Sequence, residues 1–152
     1  MLTEAEIKDL LYKSGWSENR KADESALVAL IKKGGYEILP KVLDFLVSFD
    51  GIEIRFINLR NGILDDITLG FEKGNELEPI DRITEEYELR IGRKLCVIGT
   101  AYRRHVILVM AEDGKVYGGY DGWLAKMGDS GIEAIEAIIN NKEFSEIEKL
   151  PE

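Results

Sequence analysis

The stretch Val42-Leu43-Asp44-Phe45-Leu46-Val47-Ser48-Phe49-Asp50-Gly51-Ile52-Glu53-Ile54-Arg55-Phe56 changes its hydrophobic period at Gly51. Before the glycine, Val42, Phe45, Leu46 and Phe49 stand at i, i+3, i+4 and i+7, the spacing that lays apolar side chains along one face of a helix. After it, Ile52, Ile54 and Phe56 alternate with Glu53 and Arg55, the pattern of a strand with one buried face. Pro40 suits a first helical turn, where its missing amide proton has no partner to lose, and Gly51 suits the left-handed backbone that stops a helix. A helix hands over to a strand here. The chain therefore divides into a helical part, residues 1–50, and a strand-rich remainder.

Toward the N-terminus, Thr3 and Glu6 form a capping box that opens a first helix with Ile7, Leu10 and Leu11 on one face. Gly15 ends that helix, and Trp16 is placed to fold back on Leu11. A second helix runs from about Asp23 to Lys33, burying Leu27, Leu30 and Ile31, until Gly34-Gly35 stops it. Toward the C-terminus the apolar parity flips to Ile57 and Leu59, which predicts a bulge near Phe56. Asn61-Gly62 then turns the chain into a second strand with Ile67, Leu69 and Phe71 inward. Residues 79–91 read as an inserted helix carrying Ile80, Ile83, Tyr87 and Ile91 on its apolar stripe. Leu95 to Gly99 and Val106 to Ala111 are apolar on both parities, as central strands are, and Asp113-Gly114 makes a two-residue turn into Val116 to Tyr120. Ser130 and Glu133 open a last helix, 130–141, with Ile132, Ile135, Ile138 and Ile139 inward, followed by a polar tail, 142–152.

These elements predict one α+β domain over residues 1–152, with strands mostly within 51–120 and helices packed mainly on one face of an antiparallel sheet. The uncovered face is the natural place for a partner. Trp16, Leu27, Leu46, Phe49, Ile54, Val97, Leu108 and Ile135 are the expected core.

A length of 152 residues leaves room for a single core, and 45% hydrophobic residues supply one. Twenty Lys and Arg against 29 Asp and Glu give a net charge of −9, which opposes binding to a polyanion, so nucleic acid is not expected as the partner. A single cysteine, Cys96, closes no disulfide within the chain, and with the single histidine, His105, it makes no metal cluster. The chain opens without a basic segment leading into an apolar one, so a cytoplasmic location is expected. The longest clean apolar run, Val106 to Ala111, is far shorter than the ~20 residues that span a bilayer, so no membrane partner is expected.

No catalytic constellation emerges. His105 stands beside Arg103 and Arg104 as a plain strand-end residue, and Cys96 lies inside an apolar run as a small core residue. Gly118-Gly119 and Gly122 lack the Lys-Ser/Thr of a phosphate loop and read as bulge and turn glycines. Asp65, Asp66, Glu72, Glu76 and Glu78 do not have the spacing of a calcium loop. An enzyme, a metal site and a cofactor are therefore not expected. Charge patterning says more. Residues 65–88 hold nine acids, Asp65, Asp66, Glu72, Glu76, Glu78, Asp81, Glu85, Glu86 and Glu88, against Lys73 and Arg82 alone, whereas 89–111 hold five cations and no acid. Such a segment is either a solvated face or a steering surface for a basic partner. Tyr120 and Trp123, flanking Asp121-Gly122, are either lids on the core or binding anchors.

Read together, the chain resembles the SUKH superfamily of immunity proteins, and within it the third subfamily. The resemblance runs through Ser14-Gly15-Trp16-Ser17-Glu18-Asn19-Arg20, Leu39-Pro40, Val42-Leu43-Asp44-Phe45-Leu46 and Phe49-Asp50-Gly51-Ile52-Glu53-Ile54. It continues with Tyr87, Gly92, Leu95 and Ile98-Gly99, and closes on Asp113-Gly114-Lys115-Val116-Tyr117, so it covers about residues 10 to 140. Val97 departs from the proline that the family pattern places before Ile-Gly. The resemblance implies an α+β domain without enzymatic activity that guards bacteria by binding and neutralising a cognate toxin, commonly a nuclease. With that role, Asp65, Asp66, Glu72, Glu76, Glu78, Glu85 and Glu86 become candidate contacts for a basic toxin, and Tyr120 and Trp123 candidate anchors. Eukaryotic relatives imply an alternative, a non-catalytic adaptor for another cellular protein or peptide.

Overall fold

Thr3 caps the first helix as its spacing requires, accepting from Glu6 N at 3.2 Å while Glu6 Oε1 accepts from Thr3 N at 3.0 Å. In the computed structural model, which describes residues 1–151, three ten-residue helices follow one another: α1 (Glu4–Lys13), α2 (Glu24–Lys33) and α3 (Pro40–Phe49). Gly15 (φ +100°) and Gly51 (φ +90°) take the left-handed backbone at the ends of α1 and α3. Trp16 N donates to Leu11 O at 3.0 Å, closing α1 as expected. Trp16 itself is half-buried, not fully enclosed: its ring stacks on Phe49 at 5.3 Å and its Nε1 donates to Ser48 Oγ at 3.0 Å. Arg20 donates to Ser48 O at 2.9 Å and Asp50 O at 2.5 Å. The Gly-Trp and Arg of the family pattern thus clamp the end of α3 and serve the scaffold.

Seven strands follow in one antiparallel meander whose spatial order is the chain order: β1 (Glu53–Ile57), β2 (Leu64–Leu69), β3 (Leu95–Ala101), β4 (Val106–Ala111), β5 (Val116–Tyr120), β6 (Trp123–Gly128) and β7 (Ser145–Glu146). The α+β class and the antiparallel sheet are those expected. Between β2 and β3 the chain inserts α4 (Phe71–Leu77), a short α5 (Ile80–Arg82), a π-helical segment (Ile83–Tyr87) and α6 (Glu88–Ile91), and α7 (Gly131–Ile139) precedes β7. Every residue of β3 and β4 is buried, so the centre of the sheet is covered on both faces. The uncovered surface is narrower than an open sheet face: it is the outer side of β1 and β2, where Glu53, Arg55, Ile57 and Leu64 are exposed.

Several local expectations need correction. No bulge occurs at Phe56. Pairing of β1 with β2 is regular from Glu53 opposite Thr68 to Ile57 opposite Leu64, and the parity flip at Ile57 and Leu59 simply puts aliphatic side chains in solvent. Phe71 leaves the strand to open α4, its N donating to Asp50 Oδ1 at 3.0 Å. That helix has no apolar stripe because it meets the sheet through a glycine: a Cβ on Gly74 would lie 3.0 Å from Val97 Cβ and 3.2 Å from Gly99 N. At Val97, where the family pattern has proline, the register of β3 on β4 shifts before Gly99. β6 lies beyond the expected strand region, masked by a register shift between Val116 and Tyr117 that breaks the alternation. Within the polar tail, Ser145–Glu146 pairs with β6 and Ile147 N donates to Leu124 O at 2.7 Å. Ile132 faces solvent in α7 while Ile135, Ile138 and Ile139 are buried. Of the eight expected core residues, all but Trp16 are buried.

Candidate partner-binding surfaces

Eight of the nine acids of residues 65–88 fall into three groups, and the ninth, Glu88, accepts from Leu95 N at 2.9 Å. Asp65 is not an exposed charge. It is buried on β2, where Oδ2 accepts from Asn58 Nδ2 at 3.0 Å and Oδ1 from Asp66 N at 2.9 Å. Asp66, half-buried, accepts from Arg103 N at 3.2 Å, so both aspartates hold turns together. Glu72 and Glu76 are exposed on α4, Glu76 lying 3.9 Å from Arg104.

The third group lies on the inserted helical segment. Glu78, Arg82, Glu86 and Arg90 form a ladder of i,i+4 ion pairs at 3.5, 3.4 and 2.9 Å. Burial pushes the Glu78 carboxyl above its ordinary range, against the pull of Arg82. Asp81 and Glu85 are exposed between the rungs and make no ion pair among the described residues. An open groove of about 620 Å³ runs along this face, lined by Glu78, Pro79, Asp81, Arg82, Glu85 and Glu86.

Tyr120 and Trp123 sit on the turn between β5 and β6, which the inserted helices hold in place. Tyr87 Oη donates to Asp121 O at 2.9 Å. The Tyr87 ring fits only because strand residue 119 is glycine, where a Cβ would come within 2.6 Å of the ring. Gly118 and Gly119, expected as bulge or turn glycines, are therefore strand residues that make room for side chains. Arg90, its side chain 1% exposed, donates to Gly122 O at 2.9 Å, to Ile147 O at 2.6 Å and to Glu148 O at 3.2 Å. The acidic face, the Tyr120–Trp123 turn and the C-terminal tail are thus joined through Tyr87 and Arg90. Tyr120 is 55% exposed, while Trp123 is half-buried in a cleft with Tyr102 and Phe144.

Outside these surfaces, His105 is exposed in the β3–β4 turn, donating its backbone N to Tyr102 O at 3.1 Å. Cys96 is buried, and desolvation pushes its thiol up to about 12. Among the described residues no group of three His, Cys, Asp or Glu is placed to hold a metal ion, and no helix is long and apolar enough to cross a membrane. The sequence reading missed four exposed aliphatics at the β1–β2 tip, Ile57, Leu59, Ile63 and Leu64. The parity flip at Ile57 and Leu59 was their trace.

A clamped helical N-terminal part, a seven-stranded antiparallel meander and a helical segment inserted between β2 and β3 make up the fold. The SUKH-3 immunity protein family matches residues 3–141. The chain belongs to that family. No curated protein matches it, and no solved structure does.

Proposed function

We propose that this member of the immunity family binds and neutralises a cognate toxin, a basic nuclease, by protein–protein contact and without catalysis of its own. The observation that carries this reading is the acidic face of the inserted helical segment, where Asp81 and Glu85 project from a frame held by Tyr87 and Arg90. A nuclease gathers cations around the phosphates it recognises, and a preorganised anionic face is their electrostatic complement. Glu72 and Glu76 add charge on α4, and Tyr120 on the adjoining turn supplies an exposed ring of the kind that anchors interfaces. Asp65 has no part in this reading because its carboxylate is buried and engaged.

The test is co-expression with the toxin encoded beside its gene. Growth should be rescued by the wild-type protein and poorly by the Asp81→Lys/Glu85→Lys double variant. A purified complex should form at nanomolar to micromolar concentration, and nuclease activity should fall in proportion to occupancy. Failure of the wild type to rescue growth or to bind that toxin would overturn the proposal.

A further inference from the structure

A strand at the rim of a sheet directs half of its backbone polar groups away from the sheet, and β1 is such a strand: it pairs with β2 on one side and with no strand on the other. The direction of each group follows from the bonds at the two ends of β1. Leu69 N donates to Ile52 O at 2.8 Å and Asn58 N donates to Ile63 O at 2.9 Å, so the even-numbered positions from 52 to 58 turn their backbone toward β2. Alternation then turns the N–H and C=O groups of Glu53, Arg55 and Ile57 to the rim. None of these groups has a hydrogen-bond partner among the described residues. A proline, a lysine or a bulge commonly blocks such a rim, and β1 has none of them.

We propose that two copies of the chain associate through β1, antiparallel about a twofold axis at Ile54, with Glu53 of each copy opposite Arg55 of the other. The two seven-stranded sheets then continue into one another. The proposal uses no residue of the acidic face and does not depend on the toxin reading.

Charge selects both the occupant and the register. Glu53 and Arg55 stand two apart on the outer face of β1, their side chains 45% and 70% exposed. When identical strands pair about a twofold axis, centring on Glu53 sets Glu53 against Glu53, and centring on Arg55 sets Arg55 against Arg55. Both put like charges directly opposite, which is destabilising. Centring on Phe56 sets Arg55 against Ile57 and leaves Glu53 without a cation. Centring on Ile54 alone gives each charge its opposite. In that register every Glu53 exchanges both of its backbone hydrogen bonds with an Arg55, so the unpaired groups at the middle of the rim are satisfied. The side chains also alternate in sign, because Arg55 Nε already donates to Glu53 Oε1 at 2.8 Å within one chain.

The remaining charges near this pair lie behind β1 from the rim. Asp66 stands on β2 opposite Arg55, and Lys73 and Arg104 share with Glu53, Asp66, Thr68 and Thr100 a crevice of about 220 Å³ over β2 and β3. The charges that meet across the rim are therefore Glu53 and Arg55. A strand of opposite direction carrying an acid and a base in this spacing fits the rim best, and the chain supplies one in a second copy of itself.

Sedimentation equilibrium of the full chain, from micromolar to millimolar concentration, tests the proposal. The weight-average mass should rise reversibly from that of one chain toward that of two. Arg55→Glu and Glu53→Arg should each weaken association about tenfold, because each sets like charges opposite one another. The double swap Glu53→Arg/Arg55→Glu should restore it. An equimolar mixture of the two single variants should associate more tightly than either variant alone, since each then meets its complement. Lys13→Glu, the same change of charge as Arg55→Glu but away from the rim, should associate as the wild type does. Circular dichroism establishes that each variant is folded. A chain that stays monomeric at all concentrations, a dimer that both single variants leave intact, or a loss that neither the double swap nor the mixture recovers would overturn the proposal.

Discussion

Phe49 is 5% exposed and stands between the rings of Trp16 (5.3 Å) and Phe45 (4.7 Å), at the position where α3 gives way to the sheet. Phe49→Ala should destabilise the fold by about 3 to 5 kcal/mol, as large aromatic cavities do, read as a lowered midpoint in urea. Cys96 makes a second residue-scale prediction. Its thiol stands at about 12 in the fold against 9.0 unfolded, so above pH 9 the unfolded chain binds fewer protons than the native one and stability falls as pH rises toward 12. Cys96→Ala should flatten that part of the stability profile. At near-neutral pH the native thiol should react with a thiol reagent only as fast as the chain opens. Residue identity made both positions legible in the sequence, since a phenylalanine on an i, i+3, i+4, i+7 stripe and a cysteine in an apolar run are buried for the same reason. Trp16 was less legible. Its size predicts burial, but the indole N–H must reach Ser48 Oγ, which keeps the ring at the rim.

At the scale of elements, what periodicity could show was shown, and what contact geometry decides was hidden. Helices α1 to α3 and α7 bury apolar stripes, and Thr3, Asp23 and Ser130 cap three of them with side chains while Pro40 opens α3, so both signs stand in the sequence. Helix α4 lies against β3 through Gly74, and a glycine leaves no periodic trace. The π-helical segment at Ile83–Tyr87 is likewise hidden, because Ile83 and Tyr87, four residues apart, reach the core as an α-helical stripe would also place them, and the wider pitch leaves no separate mark. The candidate site was legible in the same partial way. Its charges and aromatics were named from composition, but the contacts that hold them, from Arg90 to Gly122, Ile147 and Glu148, join positions more than thirty residues apart. Those contacts give an element-scale prediction. Arg90→Ala should cost about 3 kcal/mol, because three carbonyls lose a buried charged donor. The amide of Ile147, bonded to Leu124 O, should then exchange faster than the amides of β3. Exchange unchanged at Ile147 would show that β7 stays attached without the arginine.

Over most of the molecule acids and bases are mixed, but on the inserted helical segment Asp81 and Glu85 stand outside any ion pair among the described residues. Charges outside ion pairs act mainly through the field that guides encounter, screened over ~8 Å at physiological ionic strength, and aromatic or aliphatic burial then governs how long a complex lasts. For a basic toxin, Asp81→Lys/Glu85→Lys should therefore slow association several-fold and shallow its dependence on salt, while Tyr120→Ala should chiefly quicken dissociation. Neither change should move folding stability by more than about 0.5 kcal/mol, since all three residues are exposed. Association and dissociation rates measured from low to high salt separate the two effects. Equal association rates and salt slopes for wild type and the reversed pair would mark the acidic face as solvated surface. The toxin contact would then be sought among the exposed aliphatics of the β1–β2 tip, whose removal by Leu59→Ser/Ile63→Ser should accelerate dissociation without altering the salt slope.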